Sequence, residues 1–436
     1  MKASATTFRL SAAFVFAAFS ASAAQFQPTT GGNLDDAANW NSPGDNTFAV
    51  LKPQSGPLTL STAAATLPNA AGNLQYRNAN VYTNEFGAGY ALTLTGSFVA
   101  YGGPTLVHRS GSLSSSASNS SIQDATVVVE GPDAALTFAS ITMQADKGGS
   151  ILVRDGALLT ITSTLTVNAG ASVTVEDATL AQNTTMDNAL SFETGATLSM
   201  RNATLRWGNS KGKLLLSGSV ASFDGTTVVP GSQTMIFGGD GGTALFLGNP
   251  STVTGRFNML GDDFTFCVSN TTVNFAPTSA GDLFITSGGT VSDGFAKTLR
   301  FCGAAPRLAV GSSNGFYLRA QKGVTLQFDI PAEGYPTNAA IVEITGGGSF
   351  KGDAGCLASS QIVVNIDGKC PPGTYTLLKG TKAGTFLDVN DRVVDKWVAN
   401  APTSRKATFQ TATVDGLSAL QIIVKTASKG TVLTFR

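Results

Sequence analysis

The sequence predicts an all-β fold: a single-stranded right-handed parallel β-helix, or solenoid, with an N-terminal cap and a mainly β C-terminal region. Three observations carry that expectation. The stretch 153–205 holds three copies of one template, VRDGALLTI (153–161), VNAGASVTV (167–175) and FETGATLSM (192–200). The last two run on into VEDATL and MRNATL, so that 170–180 repeats at 195–205, a shift of 25 residues. A fixed period in this range marks stacked units rather than one compact core. Second, charged residues make up 13% of the chain and glycine 49 of its 436 residues, while 42% is hydrophobic. That is enough apolar matter for a core and too little charge for an ordinary surface, where ~25% is usual. Third, the apolar runs are short, alternate with Thr and Ser, and lack helical spacing.

Taken in order, residues 1–23 read as a secretory signal peptide. Lys2 and Arg9 supply charge, Leu10 to Phe19 the apolar run, and Ala21-Ser22-Ala23 a small-residue cleavage site. The apolar run is too short to span a bilayer, and no later stretch is long enough for a transmembrane helix. Residues 24–120 form the expected N-terminal cap and first turns. They open with NLDDAANWNSPGDNTFAVL (33–51), in which Trp40 plugs an end that would otherwise expose a core, and SGSLSSSASNSS (110–121) reads as a flexible polar excursion. Residues 121–318 form the repeat core. At ~23–26 residues per turn and ~4.8 Å between stacked strands, it holds about 8 turns over about 40 Å. The motif (Asp/Asn/Gly)-(Ala/Thr)-Thr-(Val/Leu) ends at Val127, Leu180, Leu205, Val228 and Val273, at intervals of 53, 25, 23 and 45. These read as single and double periods. Inward Val, Leu, Ile and Phe alternate with outward Thr and Ser, and Gly156, Gly170 and Gly195 occupy turns. Residues 319–436 are a C-terminal β region with more charge, including Trp397.

The Ala-Ala-Asn-Trp opening with its Pro/Gly/Asp turn, and the Gly-x-Tyr-x-Leu-Leu piece at 373–378, resemble the two ends of secreted bacterial β-helix proteins of the autotransporter-passenger type. The resemblance implies a β-helix in a surface setting. Only about 117 residues follow 319, too few for the membrane barrel of an autotransporter, so the resemblance implies fold and location rather than self-export. The expected role is a secreted or cell-surface structural or adhesive protein without catalysis, exported to the outer surface or periplasm. A competing class is a carbohydrate-active β-helix protein, either a polysaccharide lyase or hydrolase or a glycan-binding module. The partners expected are extracellular polysaccharide or neighbouring surface proteins. With zero net charge and no basic stripe, nucleic acid is not an expected partner, and no cofactor is implied.

Few residues offer chemistry. His108 is the one histidine, and it has no metal-ligand spacing, so it reads as an ordinary loop or strand-end residue. Glu176 and Arg201 stand one period apart, which suits a solvated ladder of opposite charges better than a catalytic groove. Asp262-Asp263 reads as a turn, because adjacent strand residues face opposite sides. FGGDGGTALF (237–246) has only a misregistered likeness to a glycine–aspartate Ca²⁺ repeat. Trp207 beside Arg206, with Lys211 and Lys213 near, is the candidate glycan contact if the indole is exposed; otherwise it caps a turn. Four cysteines allow three pairings. Cys267–Cys302 and Cys356–Cys370 are the disulfide candidates, because FTFC and LRFC share a local pattern and the second pair flanks the strand QIVVNI. The alternative is four free, buried thiols.

Overall fold

The computed structural model describes residues 70–427 except 78, 88, 146, 184–188, 209–211, 230, 232–233, 262, 277–282, 287–296, 312–314, 320–323, 345–348, 352–360 and 381–396. It also describes four upstream strands, Gln25–Phe26, Gly32–Asn33, Phe48–Leu51 and Leu58–Thr62. The signal segment 1–23, Trp40, Asp262 and Cys356 therefore lie outside the described residues.

Among the described residues the chain is all β, with no helix. It winds into a parallel β-solenoid with three strand columns. One turn of it reads Ala189–Phe192 on the first face, Thr197–Arg201 on the second and Thr204–Trp207 on the third. Each strand pairs in parallel with its equivalent on the next turn. Ala189 meets Lys213, Thr197 meets Val220, and Thr204 meets Thr227. On the second face, eight strands fall within 121–318, from Thr126–Glu130 to Lys297–Cys302, as the repeat length implies.

Between 70 and 275 the register steps from turn to turn run from 21 to 25 residues, as from Thr105 to Thr126 and from Ser172 to Thr197. Beyond 270 the steps lengthen to between 27 and 36 residues, as from Lys297 to Val324 and from Thr325 to Gln361. Where the added length is described, as at 331–339, it lies between strands and leaves the columns in register. On the third face the parallel stacking ends at Gly373–Gly380, which pairs antiparallel with Leu417–Thr426, and that strand closes a hairpin with Arg405–Val414.

The repeat positions are borne out, with a refinement at the corners. Ser172 pairs with Thr197 and Glu176 with Arg201, a true 25-residue step. Gly170 and Gly195 both sit at the corner between the first and second faces, at φ 77° and 82°. Ala171 N–H donates to the Asn168 carbonyl there, and Ala196 N–H to that of Glu193. With only the glycine at positive φ, these are type II turns. The first copy belongs to another corner, between the second and third faces. Asp155 and Gly156 both adopt positive φ, 58° and 85°, the type I′ signature of an Asp-Gly pair. One template thus serves two corners through two turn types. The Thr-(Val/Leu) motif divides likewise. Leu180, Leu205 and Val228 stack on the third face, but Val127 lies on the second and Val273 pairs with Ser251, so the 53 and 45 intervals are not double periods.

The segment 110–121 is also corrected. It is mostly strand rather than excursion, with a short turn at 116–119. Thr105–Ser115 runs unbroken around a corner and Ser120–Gln123 follows. Ser115 and Ser120 are buried, with Oγ atoms 3.1 Å apart, and Ser115 Oγ donates to the Gly96 carbonyl. Serine hydroxyls here replace main-chain partners in a tight corner.

The core is one continuous interior column. Along the second face, one inner row runs Val129, Val153, Val175, Met200, Phe223, Phe246, Val268, Phe301 and Phe328. Where that row carries Phe223 and Phe246, its neighbour carries Ala221 and Ala244. Large opposes small, and the volume stays constant. Phe246 is sandwiched with its ring centroid 4.7 Å from those of both Phe223 and Phe266. Phe246→Ala is expected to destabilise by about 3–5 kcal/mol, whereas Val220→Thr, at a site 45% exposed, stays within about 0.5 kcal/mol. Urea denaturation of both variants checks the difference.

Candidate functional site

The outer side of the second face holds the most regular surface. Ten successive strands place Thr105, Thr126, Ser150, Ser172, Thr197, Val220, Thr243, Thr265, Thr298 and Thr325 in one register. All but Val220 carry hydroxyls, and Ser150 Oγ donates to Thr126 Oγ1 at 3.1 Å. Strand alternation turns these residues away from the core that their neighbours fill, although Thr325 is itself covered and buried. Beside this row, at the corner with the first face, lies an open groove of about 350 Å³. It is lined by Gly103, Pro104, Asp124, Ala125, Thr126, Gly149, Ser150, Gly170 and Ser172. The lining is small, polar and uncharged except for Asp124, which is exposed at φ 46°.

At the opposite edge of the same face the expected charge ladder is present and longer than one pair. Arg109 bonds Glu85 at 3.1 Å and Glu130 at 2.8 Å; Arg154 bonds Glu130 at 3.0 Å; Arg201 bonds Glu176 at 3.1 Å. Arg154 is also in register with Glu176, and Arg201 with Asp224. Hydrogen bonds from Arg109 and Arg154 hold the Glu130 carboxyl below its ordinary range. Alternation sets the arginines Arg109, Arg154 and Arg201 between carboxylates, so the row carries little net field for a charged ligand. A second ladder on the third face joins Arg307, Glu343, Lys379 and Asp415 and ties the terminal hairpin to the stack.

Trp207 is corrected as a ligand platform. It is 2% exposed, and its Nε1 donates to Gln182 Oε1 at 2.7 Å on the preceding turn. The indole is a core residue, because its strand position points inward. Arg206 is its outward neighbour and remains exposed. Asp263 sits in a turn at φ 56°, as expected. His108 is wholly buried.

Cys267 and Cys302 are brought together on the second face, but no disulfide joins them. The sulfurs are 3.6 Å apart, against about 2.05 Å for a bond. The shared FTFC and LRFC pattern implied direct stacking, yet Phe266 pairs with Leu299, so Cys267 faces Arg300 and Cys302 faces Ser269. The thiols meet on the diagonal. The hydrogen bond from Cys267 holds the Cys302 thiol low, at about 6, and correspondingly pushes that of Cys267 up. Cys370 is buried and free, and burial raises its thiol. Low thiol pKa and exposure govern reactivity. In reduced protein at neutral pH, Cys302 is therefore expected to alkylate before Cys267 and Cys370, as timed iodoacetamide labelling with peptide mapping would read. Equal rates would contradict the thiolate assignment.

Among the described residues no group of three His, Cys, Asp or Glu side chains converges as a metal site, and no helix is long and apolar enough to cross a membrane. No known family model matches the chain, and no curated protein matches its sequence.

Proposed function

We propose that this chain is an exported, surface-associated structural or adhesive solenoid, akin to autotransporter passengers, whose task is to present a rigid neutral surface rather than to catalyse a reaction. The observation that carries the reading is the hydroxyl row held in one register over ten strands beside a self-neutralised charge ladder. A surface with many donors and acceptors and little net charge suits contact with other neutral, hydroxyl-rich surfaces. The signal-like residues 1–23 support export, and the mature chain is then expected to begin at 24 or 25.

The groove beside that row favours glycan binding as the specific form of adhesion. It crosses four successive turns with hydroxyls, exposed main chain and the single carboxylate of Asp124. Such a lining fits an uncharged linear polysaccharide laid along the stack. The test is retention on insoluble neutral polysaccharides, comparing the full chain with Ser150→Trp and Ser172→Trp, which fill the groove from outward positions. Retention that resists about 0.5 M salt and drops at least tenfold in the variants is the expected result. No retention on any neutral polysaccharide, or equal retention in the variants, would overturn the glycan reading. Release of soluble sugar products would instead favour the enzyme class.

A further inference from the structure

His108 is the chain's one histidine, and it sits wholly inside the stack. Its strand, Thr105–Ser115, passes from the second face to the third without a break. The ring Nε2 bonds the Gly111 carbonyl, three residues on, at 2.9 Å. It therefore pins the corner beside which it lies. That corner has little slack: Gly111 is at φ 73°, and a Cβ there would come 2.6 Å from the Cβ of Phe86. The Phe86 ring meets the imidazole edge-on at 5.5 Å.

The surroundings are polar but incompletely paired. With Nε2 as donor to a carbonyl, Nδ1 is left as a lone-pair acceptor, and it makes no hydrogen bond. The in-register residue on the preceding turn is Asn84, also wholly buried. Its Oδ1 accepts from Tyr76 Oη at 3.0 Å, while its Nδ2 is unpaired. Each unmet buried group has lost its water without gaining a partner, which destabilises its surroundings. The pinned corner thus lies in a less favourable part of the column than the dry Val and Phe rows beyond it.

We propose that His108 makes the turns between 81 and 115 an acid-sensitive latch: a proton on Nδ1 leaves the bond to Gly111 in place but puts an uncompensated charge inside the stack, which loosens those turns while the later stack stays closed. The reasoning is electrostatic. A charged imidazole needs a counter-charge or full hydrogen bonding in a buried site. From strand 81–86 the inward groups are Tyr82, Asn84 and Phe86; from 126–130, Val127 and Val129; from 134–138, Ala134, Leu136 and Phe138; and from 73–77, Leu74 and Tyr76. None is a carboxylate. Burial raises the Tyr76 and Tyr82 phenols, so both stay neutral. Glu85 and Glu130 lie outside, engaged by Arg109. Burial lowers the His108 pKa from 6.5, and the main chain at Gly111 and Ala135 only partly offsets it.

The direction of the effect follows. Above about 6.5 both folded and unfolded chains hold a neutral ring, and the stability is complete. As pH falls from there towards the lowered folded-state value, the open state takes up a proton that the closed state refuses. Opening then rises by at most about tenfold per pH unit. This lies above the range in which Glu130 and Glu343, both held low, take up protons.

The lone histidine permits a direct test on the full chain. Ring-labelled His108 is titrated by NMR, and segment-resolved hydrogen exchange is compared at about pH 7.5 and 5.5 in the wild type and in His108→Gln. The expected results are a ring that titrates below 6.5 and opening in 81–115 that increases several-fold at the lower pH. Segment 158–207 should not change once intrinsic exchange rates are corrected. His108→Gln, which keeps a donor for Gly111, should abolish the difference. A native ring titrating at or above 6.5, acceleration spread evenly along the stack, or an undiminished response in His108→Gln would overturn the latch. Should that variant not fold, the ring titration and the wild-type exchange map still decide.

Discussion

Everything in this molecule depends on parallel strands hydrogen-bonding in register from one turn to the next. Each turn supplies three short strands that could not bury an apolar side alone. Stacking satisfies the main-chain groups along the axis and leaves unpaired edges only at the ends. It also makes register absolute, since a slip of one residue would turn every Val and Phe outward. The chain can therefore vary turn length, from 21-residue to 36-residue spans, without disturbing the faces. What it cannot vary freely is the in/out alternation within a strand.

From that constraint come ladders, in which each side chain meets its counterpart about 4.8 Å away. Like charges would repel at that spacing, so Glu and Arg alternate down the second face. These pairs are exposed and individually weak. Their value is compatibility with stacking, because a run of one sign would oppose the register that the core demands. Amides solve the same problem without charge: Asn400 Nδ2 donates to Asn365 Oδ1, and Asn365 Nδ2 to Asp329 Oδ1. Hydroxyls do so again: an uncharged row with Thr or Ser on either side of Val220 runs over ten strands. The low charge content of the chain is thus partly a consequence of its fold.

The same logic explains what was legible in the sequence. A 25-residue self-match from 170–180 to 195–205 is direct evidence of one turn, because both copies occupy the same corner and face. The period, the eight turns of the repeat core and the outward Thr and Ser followed from it. Faces and corners were less legible because all three strands of a turn obey the same alternation. VRDGALLTI resembles the other copies although it turns a different corner; the signal that separates it is Asp-Gly, which favours two consecutive left-handed residues. At the candidate sites, strand phase decides. Trp207 follows Arg206 on one strand, so only one of the two can face solvent, and the apolar residue faces in. FTFC and LRFC place the cysteines on adjacent turns but suggest the wrong register, since the two pieces look alike while Phe266 pairs with Leu299. The groove was not legible, because it is a corner's shape, made by small residues from four turns.

The interior is uniform in geometry but not in chemistry, and that difference sets where the stack can give. From Val129 onward the inner row of the second face is aliphatic and then aromatic, with Phe223 over Phe246 and Phe301 over Phe328 at 5.1 Å or closer. Such rows have no ionisation state and no polar group to satisfy. Before Val129 the same row holds Asn84 and His108, and Tyr76 and Tyr82 stand beside them. Arg77 stacks over Tyr101 at 5.0 Å, and Tyr82 Oη bonds the Arg77 carbonyl. A polar interior near one end is tolerable because a solenoid's stability is a sum of neighbouring interfaces, so a weak turn lowers its own stability without breaking distant ones. Local opening should then begin in this polar segment, and the dry rows limit how far it spreads. Stability and sensitivity are separated along one axis, and register alone does not determine their placement: the identity of the inward residue does.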